Sequence, residues 1–140
     1  MKETTDLLSR LNSVSKESEL EKHLESIEGK DTRLRTYLND MLIAKNITIT
    51  DVVKGCGFNQ KYCYEIFDGD KNPKFDKIIA IALCMSMNLD ETNKLLQLSG
   101  NKTLYAKSRR DSIIIYAINK KMNIMSLNYE LQKHGEAELQ

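Results

Sequence analysis

Apolar residues recur at helical spacing along most of this chain, and each stretch is broken by a glycine, an asparagine or a capping hydroxyl. Leu7, Leu8, Leu11 and Val14 form one short stripe. Leu20, Leu24 and Ile27 form a second at i, i+4, i+7. Together they predict two short amphipathic helices within residues 1–30, broken near Ser13–Ser15. Both stripes are narrow, so these helices are expected to lie over the domain or to pair with a second subunit; His23, between the leucines, reads as a surface or rim residue. Asp31 or Thr32 then caps a helix over Arg33–Lys45, with Leu34, Leu38, Met41 and Leu42 turned inward and Asn46 ending it.

The stretch Thr48–Pro73 organises the rest. Thr48 with Asp51 three residues on has the spacing of a capping box, and Val52 and Val53 give the helix that follows a buried edge. Gly57 stands where this helix must stop and the chain must turn, a position that favours positive φ. Phe58 is an apolar plug. Asn59 caps a second helix, Gln60–Phe67, whose Tyr62, Cys63 and Ile66 share an inner face. Two short helices about a glycine turn make a helix-turn-helix.

After Pro73 the pattern predicts helices over Lys74–Met87, from a cap at Asn88–Asp90 to Ser99, over Ser108–Lys120, and over Ile124–His134. Gly100 and Gly135 close two of them, and the final residues are expected to fray. Ser108 and Asp111 are spaced as a capping box. These helices contain a repeat. Shifting Phe75–Gly100 by 35 residues onto Arg110–Gly135 gives 10 identities in 26 positions, among them Asp76/Asp111, Ala82/Ala117, Asn88/Asn123, Leu96/Leu131 and Gly100/Gly135. The reading is two copies of a helical hairpin, each too small to bury its face alone and so stacked on its neighbour. The period is near that of tetratricopeptide repeats, but their aromatic signature is missing.

Composition narrows the class. With 140 residues, 41% hydrophobic and 29% charged, one proline and six glycines, the chain reads as a globular all-α protein of seven or eight helices. No apolar run reaches the roughly 20 residues of a membrane span, and Met1–Gly29 lacks a signal peptide's apolar centre. Cys56, Cys63 and Cys84 sit within apolar patterns and have no metal-type pairing with His23 and His134. They read as reduced core residues of a cytoplasmic protein, and no metal or cofactor is expected. The formal net charge is only +1, and Lys45–Lys77 carries six lysines against five acids, which is not the footprint of a strongly basic nucleic-acid binder.

The stretch Thr48–Pro73 resembles the Cro/C1 repressor-like (Xre-type) helix-turn-helix family. The matching residues are Thr48 as opening cap, Val52-Val53 at the paired hydrophobic positions, Gly57 at the turn and Ile66 as the late inward residue. Asp68-Gly69-Asp70-Lys71-Asn72-Pro73 matches the loop usually written n-G-k-r-x-P. Val53 stands where the family usually has alanine, Phe67 replaces a common glutamate, and aspartates flank Gly69 where basic residues are frequent. The extension is similar to that of small bacterial Xre-type proteins carrying I-I-x-x-A-I/L and a closing E-L-L-x-x-x-G-like helix, whose counterpart here is Tyr129–Gly135. The resemblance implies a bacterial or phage origin and a regulator of transcription, divided into an N-terminal appendage or dimer contact (1–30), a helix-turn-helix unit (31–75) and a hairpin extension (75–140) sharing its core.

On this reading double-stranded DNA is the partner, a homodimer is expected, and the second helix lies in the major groove. Asn59 starts that helix, and Gln60, Lys61, Tyr64 and Glu65 face outward from it. Gln60 would read adenine, Lys61 would donate to guanine, and Tyr64 would reach a phosphate or a thymine methyl. Lys71, Asn72 and Lys74 are placed to hold backbone phosphate. The alternative is a protein–protein adaptor that keeps the fold without binding DNA; the balanced charge and the aspartates about Gly69 favour it. Lys107-Ser108-Arg109-Arg110 marks a second candidate, an anion site at a helix start, against a solvated basic surface. Met85, Met87, Met122 and Met125 gather near the hairpin turns as core filling or as a partner groove. Enzyme readings fail on inventory: there is no glycine-rich phosphate loop, no Ser-His-Asp order, and Cys63 points inward.

Overall fold

Seven helices and no strand make up residues 32–140, the part of the chain that the computed structural model describes: α1 (Arg33–Lys45), α2 (Ile49–Cys56), α3 (Gln60–Asp68), α4 (Phe75–Cys84), α5 (Leu89–Leu98), α6 (Arg109–Asn119) and α7 (Ile124–Lys133). The amphipathic helices expected within residues 1–30, with His23 and the Asp31 cap, lie outside the described residues.

Three of the helix connections are one turn used three times. Asn46, Ser86 and Lys121 take the left-handed conformation at φ 54°, 52° and 56°. Each sends its N–H to a carbonyl three residues back, and the next residue's N–H reaches five back: Ile47 to Leu42, Met87 to Ala82, Met122 to Ala117. That pairing satisfies carbonyls a helix end leaves open. Ile47, Met87 and Met122 pack on the core, and the residue after each, Thr48, Asn88 or Asn123, caps the next helix. Two caps are complete boxes, Thr48 with Asp51 and Asn88 with Glu91. Although burial pushes the Glu91 carboxyl up, the Asn88 N–H and the Lys45 ammonium hold it below its usual range.

The α4–α5 and α6–α7 hairpins match at the 35-residue shift down to single hydrogen bonds. The match also runs further than the aligned stretch. Leu104 N–H donates to Asn93 Oδ1 at 3.0 Å, and Leu139 N–H, 35 residues on, donates to Asn128 Oδ1 at 2.8 Å. The last residues are therefore tied down rather than frayed. Gln140 N–H also donates to Asp76 at 3.1 Å, and Leu139 packs on the core.

The copies do not stack as successive members of a solenoid. Tyr105 N–H, at the end of the first copy's tail, donates to Asp111 of α6, while Gln140 N–H, at the end of the second, donates to Asp76 of α4. Likewise α4 packs on α7, and α5 packs on α6. Each copy thus gives the other what it receives, which is the logic of a two-fold pair within one chain. This exchange also leaves the Ser108 cap one-sided: Ser108 Oγ accepts from Asp111 N–H, but the buried Asp111 carboxylate turns to Tyr105 N–H and to Lys102.

Arg33–Gln140 form one compact unit around one core. Leu96 and Leu131 are fully buried at equivalent positions. Substituting alanine at either should cost about 2–5 kcal/mol in urea unfolding. Stopping the chain after Gly135 should lower the melting temperature, because the Gln140–Asp76 and Leu139–Asn128 bonds go with the tail.

Candidate nucleic-acid interface

The outer surface of α3 is built from the inside. Cys63, Ile66 and Phe67 are buried along its inner edge, and Tyr62 is half-buried, meeting Phe58 edge-to-face at 5.5 Å. Lys77 lays its ammonium 5.1 Å from the Phe58 ring and so ties this turn to α4. Val52 is fully buried under the turn, and Val53 is half-buried. Gly57 ends α2 at φ 66° with its N–H on Val53 O. A Cβ there would meet nothing within 4 Å, so backbone conformation rather than space requires the glycine. Asn59 Oδ1 accepts from Lys61 and Tyr62 N–H, fixing where α3 begins. At the far end, Asn39 of α1 donates to Phe67 O at 3.0 Å.

This leaves Gln60, Lys61 and Tyr64 exposed together on one face at i, i+1 and i+4. Glu65 is half-buried rather than outward: Asp70 and Lys71 N–H fold back onto its carbonyl, drawing the loop over that turn. Lys71 and Lys74 are exposed beside α3 and at the start of α4. Asn72 is used differently from the sequence expectation, since its side-chain amide donates to Ser99 O at 2.9 Å and fastens the loop to the end of α5. Asn101 repeats the fastening through Pro73 O at 3.0 Å. A further basic residue joins the loop: the stem of Arg35 lies 3.5–3.9 Å from where a Cβ on Gly69 would sit. Its place at the start of α1, remote in sequence, gave no signal.

Of Lys107-Ser108-Arg109-Arg110, Lys107 is exposed, while Ser108, Arg109 and Arg110 are engaged within the chain. Arg110 holds both Asp76 oxygens at 3.1 Å and donates to Ala137 O and Glu138 O. Arg109 pairs with Glu136 at 3.5 Å and donates to His134 O at 3.0 Å. The guanidinium groups there serve to dock the C-terminal tail. Among the methionines, Met85 and Met87 are buried and Met122 packs on the core, but Met125 is 81% exposed. It lines a groove of about 580 Å³ between the end of α2 and α7, with Tyr129 and Gln132.

Among the described residues no three His, Cys, Asp or Glu side chains are grouped to hold a metal ion, and no helix is long and apolar enough to cross a membrane. Compared with known proteins, the chain matches no family model, no curated protein and no solved structure.

Replacing Gly57 by valine should destabilise by about 1–3 kcal/mol, because a β-branched residue is strained at positive φ. Asn59→Ala should cost about 1 kcal/mol through the lost cap. Thermal melts of both variants check the assignment. A Gly57→Val protein that melts with the parent would remove the backbone requirement argued for this turn.

Proposed function

We propose that this protein is a cytoplasmic DNA-binding regulator of transcription, a homodimer that lays α3 in the major groove of its site. The observation that supports this reading is the division of α3: an inner edge sealed into the core, and an N-terminal outer face presenting Gln60, Lys61 and Tyr64 with α2 packed behind. In this role Gln60 pairs with adenine, Lys61 donates to guanine, and Tyr64 meets a phosphate or a thymine methyl. Lys71, Lys74 and Arg35 supply phosphate contacts. The helix-turn-helix resemblance of Thr48–Pro73 points the same way.

The charge of this face sets the expected binding regime. Lys61, Lys71, Lys74 and Arg35 stand against Glu65, Asp68 and Asp70. Few phosphates are neutralised, so non-specific affinity is low and the salt dependence shallow. A second reading, a protein–protein adaptor, is favoured by one observation: Met125 and Tyr129 are 81% and 63% exposed along the groove beside α2.

Mobility-shift titrations on the protein's own promoter region, at low and at physiological salt, separate the readings. Gln60→Ala or Lys61→Ala should cost about 1–3 kcal/mol of specific binding each. Lys74→Ala should weaken all sequences alike and flatten the salt slope by about one. Specific binding unchanged in the Gln60→Ala/Lys61→Ala double variant removes the groove-reading role of α3. No binding at low salt removes DNA recognition and leaves the adaptor.

A further inference from the structure

The three thiols do not share one environment. Cys63 is fully buried. Cys56, the last residue of α2, and Cys84, the last residue of α4, are half-buried and lie sulfur to sulfur at 2.9 Å. The helices meet so closely here that a Cβ on Gly55 would stand 3.0 Å from Cys84 Sγ. A glycine inside a helix costs about 1 kcal/mol in propensity, and this approach accounts for it. Cys56 also lines the 580 Å³ groove with Lys54, Gly57, Met125 and Tyr129, which brings small molecules to the edge of the pair, and Cys84 beside it is itself only half-buried.

We infer that Cys56 and Cys84 are an oxidation site, a dithiol that a peroxide converts into a disulfide joining α2 to α4. The sulfurs need close by less than about 1 Å to reach the ~2.05 Å of the bond. The hydrogen bond between them keeps the shared proton on Cys56, raising that thiol and lowering Cys84, so Cys84 ionises first. Its thiolate attacks one oxygen of hydrogen peroxide and the O–O bond breaks. The second oxygen leaves with the bonding pair, takes up a proton and departs as water. Cys84 is now a sulfenic acid. Cys56 loses its proton and attacks that sulfur; the S–O bond breaks and the hydroxide, protonated, leaves as a second water. Two thiols are oxidised to one disulfide, and one peroxide is reduced to two waters.

The bond closes a loop between positions 28 apart, and that loop contains α3. Restricting it in the unfolded chain stabilises the fold, so the oxidised protein should melt about 10 °C higher. This holds whether or not α3 meets DNA.

The reduced full-length protein is treated with hydrogen peroxide, its remaining thiols are alkylated, and it is digested with trypsin. Cleavage after Lys54, Lys61, Lys71, Lys77 and Lys94 puts Cys56, Cys63 and Cys84 on three separate peptides. The expected result is a linked pair, 55–61 with 78–94, alkylated Cys63, and a raised melting temperature that dithiothreitol reverses. Cys56→Ser and Cys84→Ser should each lose the link and the shift. Should either variant fail to fold, the peptide map of the unaltered protein decides alone. Conversion of Met125 to its sulfoxide while Cys56 and Cys84 remain alkylatable would overturn the inference, since peroxide would have reached the groove without oxidising the pair. Linkage through Cys63 would overturn it equally.

Discussion

Everything in this fold depends on the burial of α4. Six consecutive residues, Ile78 to Leu83, are buried, so this helix has no face for water. A helix apolar all round needs neighbours on every side. Here α2, α5, α6 and α7 supply them. Fully burying an Ile or Leu side chain is worth roughly 1.5–3 kcal/mol, and α4 buries four of them. The helix therefore belongs at once to the glycine-turn unit before it and to the hairpin pair after it. Both halves share one core through it.

The two hairpins differ where α2 packs along α4 of the first but not along its counterpart α6 in the second. Cys84 meets Cys56 of α2, and Lys77 covers the Phe58 ring. Their counterparts in α6, Asn119 and Ser112, are exposed. Ile81 is fully buried, whereas its counterpart Tyr116 is half exposed. The repeat thus keeps the residues that make the two-fold exchange, Asp76 and Asp111 or Leu96 and Leu131, and varies those that α2 covers. Sequence divergence between the copies maps the asymmetric contact.

Features set by neighbouring residues were legible before the structure. The Thr48 box, the left-handed Gly57, the Asn59 cap and the 35-residue repeat each follow from local chemistry at fixed spacing. Contacts set by the path of a loop or by distant residues were not. Asp111 has the spacing of a capping box with Ser108, yet its carboxylate goes to Tyr105 N–H because the loop before α6 folds that donor onto it. Arg109 and Arg110 read as a basic run, but Asp76 and Glu136 lie 34 and 27 positions away from them and absorb the charge. Asn72 fits the phosphate-loop pattern until α5 brings Ser99 O within reach. The thiol pair is hidden for the same reason, each cysteine looking like an ordinary apolar position of its own helix.

The weak charge of the α3 face changes what such a surface would rely on in the proposed role. A reader rich in lysine gains affinity from phosphates and tolerates a loosely held helix. With acids nearly balancing bases, affinity must come from a few base contacts, and these are lost if the helix has to be ordered on binding. Here α3 is held at both ends before any partner arrives. Its start is fixed by the Asn59 cap and the Gly57 turn on α2, and its exit by Asn39 on Phe67 O and by the Asn72 and Asn101 fastenings of the loop. A cross-link from Cys56 to Cys84 would tighten the first of these anchors without moving the second. Preorganisation, rather than charge, is the means by which this face would bind.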